Sequence, residues 1–193
     1  MEDVFGDSRI MAILRGLPER ETVELAVRAW DLGIRLVEVP VQTPDALPSL
    51  RAVVAAGRER GLPVGAGTVI SLEQVREVAA AGAAFTVAPG FDPAIATASA
   101  GMGLPHLPGV ATPGEIQAAL RHGLTWLKAF PASALGTAWF TAMRGPFPQI
   151  NLVATGGLDA RTAPDYLAAG ARVVAVGSAL ADAEQVGLLS KLC

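Results

Sequence analysis

Short, nearly unbroken apolar runs punctuate this chain, and between them the apolar residues thin out to every third or fourth position. Eight such runs, at 10–14, 36–39, 63–66, 84–88, 105–107, 125–129, 151–154 and 172–176, are mostly apolar on both faces and predict buried parallel strands. The stretches between them have helical spacing; in 19–32, Val23, Ala26, Val27 and Trp30 share one face. A glycine closes the helical stretch and precedes the next apolar run at Gly33, Gly61, Gly82, Gly103, Gly123, Gly145 and Gly170. Glycine is the usual left-handed residue at a helix C-terminus, so these marks predict seven helix-to-strand turns, which join eight strands. Two helix starts, Thr112-Pro113-Gly114-Glu115 and Ser71-Leu72-Glu73-Gln74, have the spacing of a capping box, in which the fourth side chain reaches back to the first amide. Eight near-regular units in 193 residues predict an α/β fold: one (β/α)8 TIM barrel domain of minimal length over 1–193, in preference to an open doubly wound sheet.

Charge and composition then remove several classes of function. With 15 Lys+Arg against 18 Asp+Glu the net charge is -3, which gives no electrostatic case for a nucleic-acid partner. No apolar run approaches the roughly 18 residues needed to cross a bilayer, and Met1-Glu2-Asp3 lacks the basic and apolar regions of a secretion signal. The expected setting is cytoplasmic, without a membrane partner. Cys193 is the only cysteine, so neither a disulfide framework nor a Cys-based zinc site is expected. His122 precedes a helix-ending glycine and His106 falls early in the fifth strand; both read as structural, and with no clustered ligands at the strand ends no metal is expected.

In a barrel of this kind the C-terminal strand ends carry the chemistry. Thirteen of the 15 basic residues are arginine, and the two lysines are Lys128 and Lys191. Lys128 lies within an apolar run, where a desolvated lysine, unlike arginine, can shed its proton and act as a nucleophile. Glu38 is the sole carboxylate of an otherwise apolar strand, where burial favours a general base of raised pKa. An amine and a carboxylate so placed suit imine chemistry. Thr155-Gly156-Gly157 after strand seven and Gly177-Ser178 after strand eight offer backbone N–H groups to an anion such as phosphate. Arg15, closing strand one, suits a substrate carboxylate, and the glycines of Gly65-Ala66-Gly67-Thr68 would let substrate approach the backbone, with the Thr68 hydroxyl as donor. On these residues alone an acid/base isomerase or epimerase, or a non-catalytic sugar-phosphate binder, remains an alternative.

Taken in order, Ala12-Ile-Leu-Arg15, Val37-Glu-Val-Pro-Val-Gln-Thr-Pro44, Val64-Gly-Ala-Gly-Thr-Val69, Val87-Ala-Pro-Gly90, Leu127-Lys-Ala-Phe-Pro131, Ala154-Thr-Gly-Gly157 and Val176-Gly-Ser-Ala179 resemble the 2-keto-3-deoxy-6-phosphogluconate (KDPG) and 4-hydroxy-2-oxoglutarate (KHG) aldolase family. The resemblance implies a homotrimeric class I aldolase that needs no cofactor beyond a covalent lysine imine with its substrate, a small keto-acid sugar phosphate. It assigns the imine to Lys128 and proton transfer to Glu38; Thr68, Pro89 and Phe130 match the pyruvate pocket, and Gly156, Gly157 and Ser178 the phosphate end. One departure is Gln42, where many members carry an arginine for the substrate carboxylate, which leaves that role to Arg15. Related phosphogalactonate aldolases share the strand-one arginine, so the substrate epimer stays open between gluconate and galactonate.

Overall fold

The computed structural model describes residues 1–177, 180 and 182–193, the Ala183 side chain excepted. Its strands are β1 (Ile10–Ile13), β2 (Leu36–Pro40), β3 (Val64–Gly67), β4 (Phe85–Val87), β5 (His106–Leu107), β6 (Gly109–Val110), β7 (Trp126–Ala129), β8 (Asn151–Thr155) and β9 (Ala171–Val176). The helices are α1 (Glu2–Phe5), α2 (Glu19–Asp31), α3 (Ala46–Arg60), α4 (Leu72–Ala80), α5 (Pro93–Gly101), α6 (Pro113–Arg121), α7 (Ala132–Arg144), α8 (Ala163–Ala168) and α9 (Ala183–Leu189). All strands pair in parallel, in the order β5-β4-β3-β2-β1-β9-β8-β7-β6.

The two ends of that order are halves of one strand. β5 pairs with β4 and β6 with β7, and only Pro108 separates them. Proline has no N–H to give to a ladder, yet its carbonyl accepts the Lys128 N–H at 2.8 Å, so the strand changes neighbours at this residue and the sheet closes into a (β/α)8 barrel. The fifth strand therefore runs past the predicted end at residue 107.

Alternation along each strand separates two apolar layers. Ile10, Ala12, Val37, Val39, Ala66, Leu127 and Val174 face outward into the layer beneath the helices, while Met11, Ile13, Leu36, Phe85, Val87, Leu107, Trp126, Val153, Val173 and Ala175 fill the interior. A Cβ on Gly65 would collide with the Phe85 ring. The N-terminal face of the barrel is closed by α1, which periodicity did not predict: Phe5 packs at 5.5 Å from Phe85 and 4.9 Å from Trp126, and the Trp126 indole N–H donates to Glu2 at 2.9 Å.

Six of the seven predicted turn glycines are left-handed, with φ from 66° to 110°. Gly145 is the exception, at φ -62° and ψ -61°. There the Phe147 N–H still bonds to the Met143 carbonyl at 3.1 Å, so right-handed geometry persists through Gly145 and the turn comes later. The box at Thr112 forms in full, whereas that at Ser71 forms only in part.

Candidate active site

Because every strand is parallel, every strand-to-helix loop opens on the same face, and the candidate residues converge there. Glu38 is the middle residue of β2, on the inward face two residues past Leu36, beside Ile13 of β1 on one side and Gly65 of β3 on the other. Lys128 stands in β7 between Gly109 and Val153, with Thr155 two residues further up β8. Both charged side chains are essentially sealed from solvent, at 0% exposure for Glu38 and 2% for Lys128. Neither Glu38 oxygen meets a hydrogen-bond donor among the described residues, and neither does it form an ion pair within 4.0 Å. An ionised carboxylate left in this state would cost several kcal/mol.

The electrostatics follow from that burial. Desolvation pushes the Glu38 carboxyl above the ordinary carboxylate range, opposed by the positive charges of Lys128 and Arg15. Desolvation also holds the Lys128 ammonium below the ordinary lysine value, opposed by Glu38 and reinforced by Arg15. The Phe130 ring lies 5.0 Å from Lys128 Nζ and supplies an apolar wall. Burial thus shifts the carboxyl and the amine each toward its uncharged form, and the charge of Arg15 acts on both.

At this end of the barrel opens a cavity of about 740 Å³, lined among others by Arg15, Phe130, Thr155, Gly156, Gly157 and Gly177; neither Glu38 nor Lys128 is part of its lining. Thr155 is buried and its hydroxyl has no partner among the described residues. Gly156 (φ 101°) and Gly157 (φ 71°) adopt conformations closed to most side chains; a Cβ on Gly156 would press on Phe130 and one on Gly157 on Ser133. Their N–H groups take no acceptor among the described residues, and the Gly156 carbonyl receives the Ser133 N–H of α7 at 3.0 Å. The rim thus offers the Arg15 guanidinium and two glycine N–H groups to an anionic ligand, with the Asp159 carboxylate as the other charged group of the lining.

Thr68 and Pro89 stand at the same end of the barrel, after β3 and β4, but do not line this cavity. Ser178 lies outside the described residues. Thr68 is the one non-glycine residue of positive φ among those described, at 57°, a conformation that costs a β-branched residue about 1–3 kcal/mol and that clusters at functional sites. The glycine before it makes room for a side chain: a Cβ on Gly67 would strike the Glu38 carboxylate, as one on Gly65 would strike the Phe85 ring. Leu17, Asp159 and Gln185 line the cavity without having been anticipated. Asp159 carried a signal, since Asp159-Ala160-Arg161-Thr162 is a turn sequence whose carboxylate accepts the Arg161 and Thr162 N–H groups at 3.0 and 2.9 Å.

Fold and site together define a lysine-and-carboxylate barrel enzyme, and comparison with known proteins places it. Residues 1–189 match the family model for KDPG and KHG aldolase, and the chain belongs to that family, whose members are metal-independent Schiff-base aldolases. It is 36% identical over 172 residues to a probable 2-dehydro-3-deoxy-6-phosphogalactonate aldolase of Rhizobium meliloti, covering 89% of this chain and 81% of that one. It is 38% identical over 159 residues to a 2-dehydro-3-deoxy-phosphogluconate aldolase of Treponema pallidum, covering 81% and 74%. Among solved structures, it superposes with a TM-score of 0.85 at 30% identity on a KDPG aldolase from Legionella pneumophila holding pyruvate as a covalent carbinolamine, covering 98% and 94% of the two chains.

Proposed function

We propose that this aldolase cleaves 2-keto-3-deoxy-6-phosphogluconate to pyruvate and glyceraldehyde 3-phosphate, and 4-hydroxy-2-oxoglutarate to pyruvate and glyoxylate. The observation that carries the reading is the burial of Glu38, without a hydrogen-bond partner among the described residues, and of Lys128 at the end of the barrel where a cavity is lined by Arg15, Gly156 and Gly157. Neutral Lys128 adds to the C2 ketone, and the carbinolamine loses water to give an iminium. Glu38 takes the C4 hydroxyl proton, the C3–C4 bond breaks, the aldehyde leaves, and the electron pair passes into the enamine. Glu38 then returns its proton to C3, and water releases pyruvate from Lys128. Arg15 holds the substrate carboxylate; Thr68, Pro89 and Phe130 enclose the pyruvate portion; Thr155 meets a substrate hydroxyl; and Gly156, Gly157, Gly177 and Ser178 receive the phosphate. Binding energy from that remote phosphate orients the scissile bond.

A second reading, the galactonate epimer, is favoured by the Rhizobium relative and by the strand-one Arg15. Rates on the two epimers decide between them. A homotrimer accompanies the proposal, and the exposed apolar Ile70, Leu72 and Met102 support such a contact; light scattering of the purified chain measures it. The reaction itself is tested by incubation with pyruvate and borohydride followed by peptide mass spectrometry. A reduced adduct on Lys128 is expected in the parent and none in Lys128→Ala, which should remain folded and lose cleavage by at least about 10³-fold. Parent-like turnover in that variant refutes the imine.

A further inference from the structure

The Ser71–Gln74 signature forms half of a capping box. Ser71 Oγ accepts the Gln74 N–H at 3.1 Å, but the Gln74 side chain does not return to the Ser71 amide. Its Oε1 accepts the Ile70 N–H at 2.8 Å, and its Nε2 donates to the Val41 carbonyl at 2.9 Å, from a residue 33 positions away. Helix α6 supplies an internal contrast. Glu115, at the same helical position, accepts the N–H groups of Ala111 at 2.7 Å and Thr112 at 2.9 Å and completes its box. A carboxylate therefore suffices to cap a helix of this barrel, including the residue before the cap. What a carboxylate lacks is a donor, and at Gln74 the donor serves Val41.

That bond ties the end of β2, the strand that carries Glu38, to helix α4. Val41 follows β2, three residues past Glu38, and its N–H bonds to the Gly67 carbonyl at 2.8 Å. Gly67 abuts the Glu38 carboxylate; Thr68 follows in its left-handed conformation; the Val69 N–H bonds to the Val87 carbonyl at 3.0 Å; and Ile70 is held by Gln74. Two of these anchors are main-chain bonds. The third is a side chain that grips both segments at once. We propose that Gln74 is a positioning residue for the aldol reaction: its amide clamps the end of β2 to the β3–α4 loop and so fixes Thr68 relative to Glu38. This rests on the aldolase reading above.

Gln74→Glu isolates the clamp, because it keeps an acceptor for Ile70 and removes the donor to Val41. The expected variant has a thermal midpoint within about 3 °C of the parent, a kcat lower by roughly tenfold and a KM changed by less than about threefold. A purely structural role would move the midpoint and leave the rate per folded active site, counted by pyruvate–borohydride trapping, unchanged. Gln74→Met, neutral and of similar length, loses both bonds and is expected to show the same fall in kcat with a lower midpoint. In a Thr68→Ala background, Gln74→Glu should cost less than about twofold, since the group it positions is gone. Parent-like kcat in either folded Gln74 variant, or equal fractional losses in both Thr68 backgrounds, overturns the proposal. A parent protein that traps no pyruvate overturns the aldolase reading itself, and that control is read before any variant.

Discussion

Glu38 and Lys128 each favour the uncharged form in the fold, and this has a measurable consequence for stability. In an unfolded chain a glutamate titrates near about 4.3 and a lysine near about 10.4. Glu38 is raised by burial, so the native state keeps a proton that the unfolded chain has lost above about pH 4.3; stability is full below that pH and drains away as pH rises through the folded value. Lys128 is lowered by burial, so its contribution is full above about pH 10.4 and is lost as pH falls through its folded value. Both penalties overlap in the middle, and the difference in urea stability between the parent and a Glu38→Gln/Lys128→Met double variant should trace a trough across pH 5 to 10, the opposite titration of His106 being common to both proteins. Glu38→Gln is expected to remove the decline on the acid side and Lys128→Met the recovery on the alkaline side; a Glu38→Gln curve parallel to the parent's would show that the carboxyl does not titrate abnormally. Both residues were legible in the sequence, one as a rare lysine in an arginine-rich chain and the other as a lone carboxylate between valines. The duty of Gly67 and the backbone of Thr68 were not, because both depend on which β3 residue lands opposite Glu38, and register is a property of the closed sheet.

Elements were legible wherever punctuation is local. Left-handed glycines end the helices at six of seven predicted places, while Gly145 shows that a glycine permits a turn without compelling it. The fifth strand was read short because Pro108 looks like a terminator from its missing N–H alone; its carbonyl's bond to Lys128 belongs to a neighbour 20 residues away. His106, expected to be structural, is so in a specific manner. The Thr86 hydroxyl lies 3.0 Å from Ser99 Oγ and 2.9 Å from His106 Nδ1 and joins the two in one buried chain, while Nε2 has no partner among the described residues. A charged ring would bury its Nε2 N–H with no acceptor among them, and burial accordingly lowers this histidine from 6.5 to about 4. A group depressed in the fold loses its contribution as pH falls through that window, so this residue should remove about 3 kcal/mol of stability between pH 7 and pH 4. His106→Gln is expected to be less stable at pH 7 by about 1 kcal/mol yet to flatten the acid limb. An acid limb as steep as the parent's would assign the loss to other groups.

At the scale of the whole molecule the barrel divides into a floor that holds it together and a mouth that works. The interior is apolar from Phe5 and Trp126 at the N-terminal end up to Ile13 and Val87, and its two charges, Glu38 and Lys128, lie toward the other end, where the cavity opens. The eight-unit architecture could be read from the runs and glycines, but the floor could not: α1 has four residues, too few to show a period, and its partners Phe85 and Trp126 arrive from distant segments. The division makes stability and chemistry separable. Phe5→Ala removes a fully buried ring that touches both aromatic neighbours, which should cost about 3–5 kcal/mol. Below its lowered midpoint the variant should nevertheless trap pyruvate on Lys128 at the parent's rate, because the ring lies at the end of the barrel opposite to the reacting amine. Lys128→Met should behave in the opposite way, with no adduct and no loss of stability at neutral pH, since a buried amine whose charged form is disfavoured by desolvation is replaced by an apolar chain of similar length. If Phe5→Ala, while still folded by circular dichroism, formed the imine tenfold more slowly, the floor would be setting the height of Lys128 in the barrel, and packing and catalysis in this small enzyme would have to be treated as one system.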